Sequence, residues 1–165
     1  MRKLLILLPV LVLALSGCGV YSFTGASVEG KTLNMHILEN RARNVVPTLS
    51  PSLTNKIRSR ILTQTGLTSV NVDGADYDIS GTITTYEVTV SGVQNTQQAS
   101  QNRLTIGINI IYKNKLNEKN NFSQSFTRFA DFPASQSIQS VESTLIETIG
   151  NQLADDIFNK AFVNW

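Results

Sequence analysis

Apolar residues recur along this chain in three rhythms, and each rhythm predicts a different kind of element. Leu49, Leu53, Ile57 and Ile61 return every four positions, the period of a helix with one buried face. Ser50-Pro51 reads as an N-cap followed by proline at the first helical position, and Gly66 is a stop signal. Lys56, Arg58 and Arg60 fall mostly on the wet face. A second helix is predicted from Ser137 to Val163, with Ile138, Val141, Leu145, Ile149, Leu153 and Ile157 on one stripe and Phe158 and Phe162 widening it. Gly150 lies inside it at a cost of ~1 kcal/mol relative to alanine, which implies close packing against a sheet or a kink.

The second rhythm is alternation. Leu33, Met35 and Ile37 alternate with Asn34 and His36, as a half-buried strand requires. Leu67 to Val72 reads as a short strand before the Asp73-Gly74 turn. Tyr77, Ile79 and Ile83 share one parity, and Tyr86, Val88 and Val90 share the other. A strand changes its inward set only by inserting a residue, so a bulge is expected near Thr84-Thr85. Leu104, Ile106, Ile108, Ile110 and Tyr112 alternate most cleanly, and Phe122 to Phe129 follows as a further strand. Gly92 to Asn102 and Asn114 to Asn121 connect these as hairpin loops. Tyr77 to Val90 would extend for ~46 Å, against a radius of gyration of ~15 Å for a domain of this size. Such a strand bends at the bulge or projects from the body. The order is β-α-β-β-β-β-α, an α+β fold with two helices covering one face of a largely antiparallel sheet.

The third rhythm is an almost unbroken apolar run, Leu4 to Ala14, behind Arg2 and Lys3. That is the order of a secretory signal peptide, and it is too short for the ~20 residues of a membrane span. It closes on Leu15, Ser16, Gly17 and Cys18, which resembles the lipobox of bacterial lipoproteins. There the cysteine is acylated and becomes the first residue of the mature protein, and a thiolate is the natural nucleophile for that attachment. The chain divides into a cleaved signal at 1–17, a lipidated N-terminus and linker at 18–30, and a single domain at 31–165. Cys18 is the only cysteine, so no disulfide is available. Without Arg2 and Lys3, basic and acidic side chains balance, which removes any global electrostatic case for nucleic acid.

Side chains suited to catalysis are few. His36 is the only histidine, and its place in a strand reads as a rim position. No Gly-x-Ser-x-Gly elbow and no phosphate-cradling loop occur. Cys and His are too few for a zinc site. Asp73, Asp76 and Asp78 lack the spacing of a calcium loop and read as turn caps. The expectation is a protein that is not an enzyme and has no metal or cofactor beyond a covalent lipid on Cys18. Surfaces remain. Gln94, Gln97, Gln98 and Gln101 form a polar, uncharged loop, either solvated or packed against hydrogen-bonding walls. Arg103, Lys113, Lys115, Lys119 and Arg128 cluster around the hairpins, serving solubility or an anionic lipid headgroup.

Several segments together are similar to a known family. Cys18-Gly19-Val20-Tyr21-Ser22-Phe23 resembles the Cys-Gly-Tyr-x-Phe opening of the LptE lipoproteins, with Val20 inserted. Arg60 to Leu67, Ala75-Asp76-Tyr77-Asp78-Ile79-Ser80-Gly81-Thr82-Ile83-Thr84-Thr85-Tyr86 and Arg103 to Ile106 resemble the family as well. The resemblance implies an α+β fold with two helices packed on one face of a mostly antiparallel four-stranded sheet, in an outer-membrane lipoprotein anchored on the periplasmic side by its acyl chains. It implies a non-catalytic plug inside the LptD β-barrel that assists the barrel's assembly and the delivery of lipopolysaccharide to the outer leaflet. Gly19 at mature position two, in place of aspartate, agrees by analogy with the outer membrane. Arg103, Lys113, Lys115 and Arg128 are the candidates for lipopolysaccharide contact, and the glutamine loop is the candidate for barrel contact. The alternative is an envelope lipoprotein that serves as a binding module of a different secretion or cell-wall synthesis machine.

Overall fold

A computed structural model describes residues 28–93 and 99–163. The signal segment, Cys18 and Gln94, Gln97 and Gln98 lie outside the described residues. Strands β1 (Thr32–Met35) and β2 (Glu39–Asn40) precede helix α1 (Leu49–Thr65), and β3 (Thr68–Ser69) follows it. Then come β4 (Tyr77–Val93), β5 (Ala99–Asn114), β6 (Phe122–Pro133) and helix α2 (Ile138–Phe162). The sheet order is β3-β1-β4-β5-β6, with β2 also on β4. β4, β5 and β6 form an antiparallel meander, whereas β1 and β2 run parallel to β4.

The α+β class with two helices stands, but the described sheet is six-stranded and mixed. β3 falls inside the short strand predicted over 67–72, whereas β2 has only two residues, too few to display a period. The first strand also ends earlier than its alternation suggests. Ile37 is 72% exposed and Leu38 is buried in its place. Both backbone groups of Leu38 are satisfied by α1: its N–H donates to Thr54 Oγ1 at 3.0 Å, and its carbonyl accepts from the Ser50 hydroxyl. Ser50 is therefore committed to Leu38. The helix starts two residues earlier than Pro51, at Leu49, with Thr48 in the cap position. Gly66 ends it in the left-handed region, at φ +69°, and its N–H donates to the Leu62 carbonyl.

The parity break in β4 is a bulge. Ile83 pairs with Ile108 and Thr85 with Gly107, so Thr84 is the extra residue. Tyr77, Ile79, Ile83 and Tyr86 consequently all face the helices and are buried. Leu104, Ile106, Ile108, Ile110 and Tyr112 continue this surface on β5, and Phe126 and Phe132 on β6. Against it pack Leu49, Leu53, Ile57 and Ile61 of α1, and Leu145, Ile149, Leu153, Ile157 and Phe158 of α2. Each such side chain contributes ~1.5–3 kcal/mol of burial, so the core needs no covalent staple. Val88 and Val90 keep the inward parity but are 40% and 60% exposed. The far part of the β4–β5 hairpin thus runs beyond the cover of the helices.

The helices run in the same direction, side by side. Gly150 packs against α1, not the sheet: a Cβ there would lie 3.2 Å from Leu53 Cδ2. Lys56 meets Glu147 at 3.0 Å and Arg60 meets Asp155 at 2.7 Å. Arg58 donates to the Met35 carbonyl at 2.9 Å. The three cations expected on the wet face therefore link α1 to its neighbours.

Candidate binding surfaces

The end of the sheet nearest the N-terminus is held by polar side chains that the sequence reading assigned to turns. Asp76 Oδ2 accepts from the N–H of Lys31 (2.8 Å), the N–H of Thr32 (3.0 Å) and the hydroxyl of Thr32 (2.9 Å), and Asp76 N–H donates back to Thr32 Oγ1. Bonds to its ionised form hold the Asp76 carboxyl below its ordinary value, with the Lys31 N–H the largest cause. Tyr77 hydroxyl accepts from Gly30 N–H at 3.2 Å. A Cβ at Gly30 would collide with that ring. Beside this clamp, Asp78 Oδ2 lies 2.9 Å from His36 Nε2 and accepts from Asn34 Nδ2 at 3.1 Å. His36 sits at a half-exposed rim.

These groups border an open cleft whose other walls include Asp73, Lys113, Lys115 and Glu118. Lys113 stands opposite Asp78 in the β4–β5 ladder, and Lys115 Nζ reaches the Gly74 carbonyl at 3.4 Å. Anions and cations alternate here. Among the described residues, no three acidic, histidine or cysteine groups are placed to hold a metal ion.

The four candidate cations do not form one patch. Arg103 makes a two-pronged pair with Asp131 at 2.7 and 2.9 Å and lies 3.7 Å over the Phe129 ring. That guanidinium holds the Asp131 carboxyl below its ordinary range. Arg128 projects from the helix-side face of β6 into a two-pronged pair with Asp156 of α2, at 2.6 and 2.7 Å. Their partners, Asp131 and Asp156, are distant in sequence, which is why spacing did not reveal the pairs. Lys113 and Lys115 share the cleft. Gln101 is exposed where β5 begins, opposite Gly92 and Pro133.

The face of the sheet away from the helices is the feature that sequence reasoning missed. Its cross-strand rows run Asn34–Asp78–Lys113, Ser80–Ile111–Ser123, Glu39–Thr82–Asn109–Ser125, Thr85–Gly107–Thr127, Glu87–Thr105–Phe129 and Thr89–Arg103–Asp131, with Glu39 on β2 outside the meander. The three middle rows of the meander carry no charge. Ser125 hydroxyl donates to Asn109 Oδ1 at 3.4 Å across one of them. Gly107 is needed in the next, since a Cβ there would sit 3.0 Å from Thr85 Oγ1 and 3.1 Å from Thr85 Cβ. The polar parity of the three long strands, read together, was the signal available in the sequence. No helix among the described residues is long and apolar enough to cross a membrane.

A family model described as LptE: Lipopolysaccharide-assembly matches residues 30–161. No curated protein sequence matches the chain. Among solved structures, it is similar to a minor lipoprotein from Acinetobacter baumannii, at 15% identity and TM-score 0.51, covering 79% of this chain and 90% of that one. It is likewise similar to the rare lipoprotein B from Shewanella oneidensis, at 16% identity and TM-score 0.52, covering 78% and 92%. A lipoprotein B from Nitrosomonas europaea gives 12% identity and TM-score 0.52, covering 86% and 88%. At these identities the likeness is one of fold.

Proposed function

Because the chain belongs to the LptE family of lipopolysaccharide-assembly proteins, we propose that it is a non-catalytic outer-membrane lipoprotein that plugs an LptD-like β-barrel. In that role it assists the barrel's assembly and the delivery of lipopolysaccharide to the outer leaflet. The observation that carries this reading is the family match, which spans nearly all of the described domain. Cys18 supplies the anchor: two acyl chains, each burying many methylenes at ~0.8 kcal/mol apiece, hold the protein stably to the periplasmic side of the membrane. The protein works without metal or cofactor, and its only prosthetic chemistry is that covalent lipid.

Lys113 and Lys115 are the cations best placed for a phosphorylated headgroup, since Arg103 and Arg128 each already hold a carboxylate on both prongs. The hairpin supports a second element of the reading. Its outer part projects past the helices, with Val88 and Val90 uncovered, and it carries the glutamine-rich tip. Burial of that uncharged tip needs hydrogen-bonding walls, which the polar interior of a barrel provides. The test is purification of the intact lipoprotein from membranes with a photocrosslinker at Gln97 or at exposed Ser59 of α1. The expected result is a stoichiometric β-barrel partner, captured from Gln97. A soluble periplasmic partner in the barrel's place would overturn the proposal, and capture from Ser59 alone would invert the orientation.

A further inference from the structure

We infer that the β5–β6 turn is a membrane foot: until the lipoprotein meets a barrel, this turn rests on the anionic phospholipid headgroups of the leaflet that holds its acyl chains. The inference rests on the Cys18 anchor proposed above and concerns the unassembled protein, not the plug.

The turn, from Asn114 to Asn121, is tied into one shape by its own amides. Asn114 Oδ1 accepts from the N–H groups of Leu116 (2.9 Å) and Asn117 (3.0 Å). Asn121 Oδ1 accepts from Asn114 N–H at 2.6 Å, and Asn117 Oδ1 from Lys119 N–H at 3.3 Å. The turn so fixed leaves Leu116 48% exposed between Lys115 and Lys119. A single exposed leucine is ordinary, but its setting is not. The tip carries Lys113, Lys115 and Lys119 against Glu118 alone. Lys160 shares a notch with Lys119 and lies 5.8 Å from the centre of the Phe122 ring. None of these four lysines makes an ion pair among the described residues, whereas Arg41, Arg60, Arg103 and Arg128 all do.

The same turn adjoins the point where the chain enters the sheet. Lys115 N–H donates to the Asp76 carbonyl at 2.9 Å, and the Asp76 carboxylate holds Lys31 and Thr32. Cys18 lies ten residues before Val28, a reach of ~35 Å at most. The tether therefore keeps the turn at high local concentration over the leaflet, where a weak contact suffices. Leucine beside lysine suits that boundary: the apolar side chain enters the acyl edge while the ammonium groups stay with the phosphates. Asp73 and Glu118 border the cleft that Lys113 and Lys115 also line, which disfavours a lone soluble anion. A plane of headgroups instead meets the lysines of the tip and of the notch together.

The experiment uses the intact lipoprotein, purified without a barrel, in vesicles of phosphatidylethanolamine and phosphatidylglycerol. With Cys18 acylated, Leu116→Cys supplies a single free thiol for a nitroxide label. Val45→Cys is the comparison. Val45 is 63% exposed, and its neighbour Asn44 bonds the Tyr86 carbonyl, nine residues along β4 from the Tyr77–Asn114 pair and so at the opposite end of the domain. The label at 116 is expected to be roughly tenfold less accessible to a soluble nickel relaxant than the label at 45, and more accessible to oxygen, which concentrates in hydrocarbon. Adding Lys115→Glu and Lys119→Glu, raising the salt, or using phosphatidylcholine alone should each return the 116 label towards the value at 45. The salt and lipid arms read the contact without any substitution in the lysines. If the mass shows acyl chains on Cys18 but the two labels are equally open to nickel, the foot is misassigned while the anchor and plug readings stand. Protection at 45 in place of 116, protection that survives salt, or protection that requires added lipopolysaccharide also overturns the inference. If the mass shows no acyl chain, the anchor reading fails and the foot with it.

Discussion

Asp76 shows how much one carboxylate can organise: a single oxygen gathers three donors from Lys31 and Thr32 and so fixes where the chain enters the sheet. Its folded pKa lies below the ordinary 3.8, so the unfolded chain binds the proton more readily. The stabilisation from Asp76 is therefore complete above the ordinary value and is lost as pH falls through the depressed one. Asp76→Asn should lower stability by an amount that is constant near neutrality. The gap to the parent should close in acid, as read from urea midpoints measured between pH 7 and pH 2. A gap that widens in acid would reverse the assignment. Gly81 belongs to the same motif for a different reason. A Cβ there would lie 2.5 Å from the Asn109 carbonyl oxygen and crowd Leu38, so glycine is required for close approach.

At the scale of elements, β4 is the strand that carries a conflict and resolves it. Ile83 pairs with Ile108 and Thr85 with Gly107, neighbours on β5. Deleting Thr84 should therefore leave a regular ladder, with Tyr86 still facing inward and still donating to Glu142 at 2.5 Å. That variant should lose no more than ~1 kcal/mol. Deleting Thr82 instead turns Ile83 outward and Thr84 inward, since a one-residue slip reverses every side chain. Loss of a fully buried isoleucine costs ~2–5 kcal/mol. Urea unfolding of the two deletions should separate them clearly, and equal losses would show that the bulge itself is essential. The helices show the complementary case. Their apolar stripes were enough to place them, but Gly150 at their seam answers to Leu53 of the other helix.

For the whole molecule, a continuous core with no disulfide predicts independence from partners. The domain from Gly19 onward should unfold cooperatively and reversibly in chelator and reductant, with the same midpoint as without them; a molten domain in calorimetry would mean that a binding partner completes the core. Much of this was legible in the chain. Both helices, the three long strands and the bulge follow from periodicity, because burial on one face forces a repeat of 3.6 or 2. The signal segment and Cys18 lie outside the described residues, and their reading rests on a local motif alone. What the sequence left open depends on residues far apart. The two-residue strand β2 exists only through its parallel pairing with β4. Leu38 replaces Ile37 in the core because Ser50 and Thr54 satisfy its backbone. Arg103 and Arg128 looked like free cations until the fold brought Asp131 and Asp156 to them. The uncharged middle rows of the meander, likewise, need three strands in register before they become a surface. Periodicity is written along the chain, whereas pairing, charge compensation and the composition of a face are decided by which strands and helices meet.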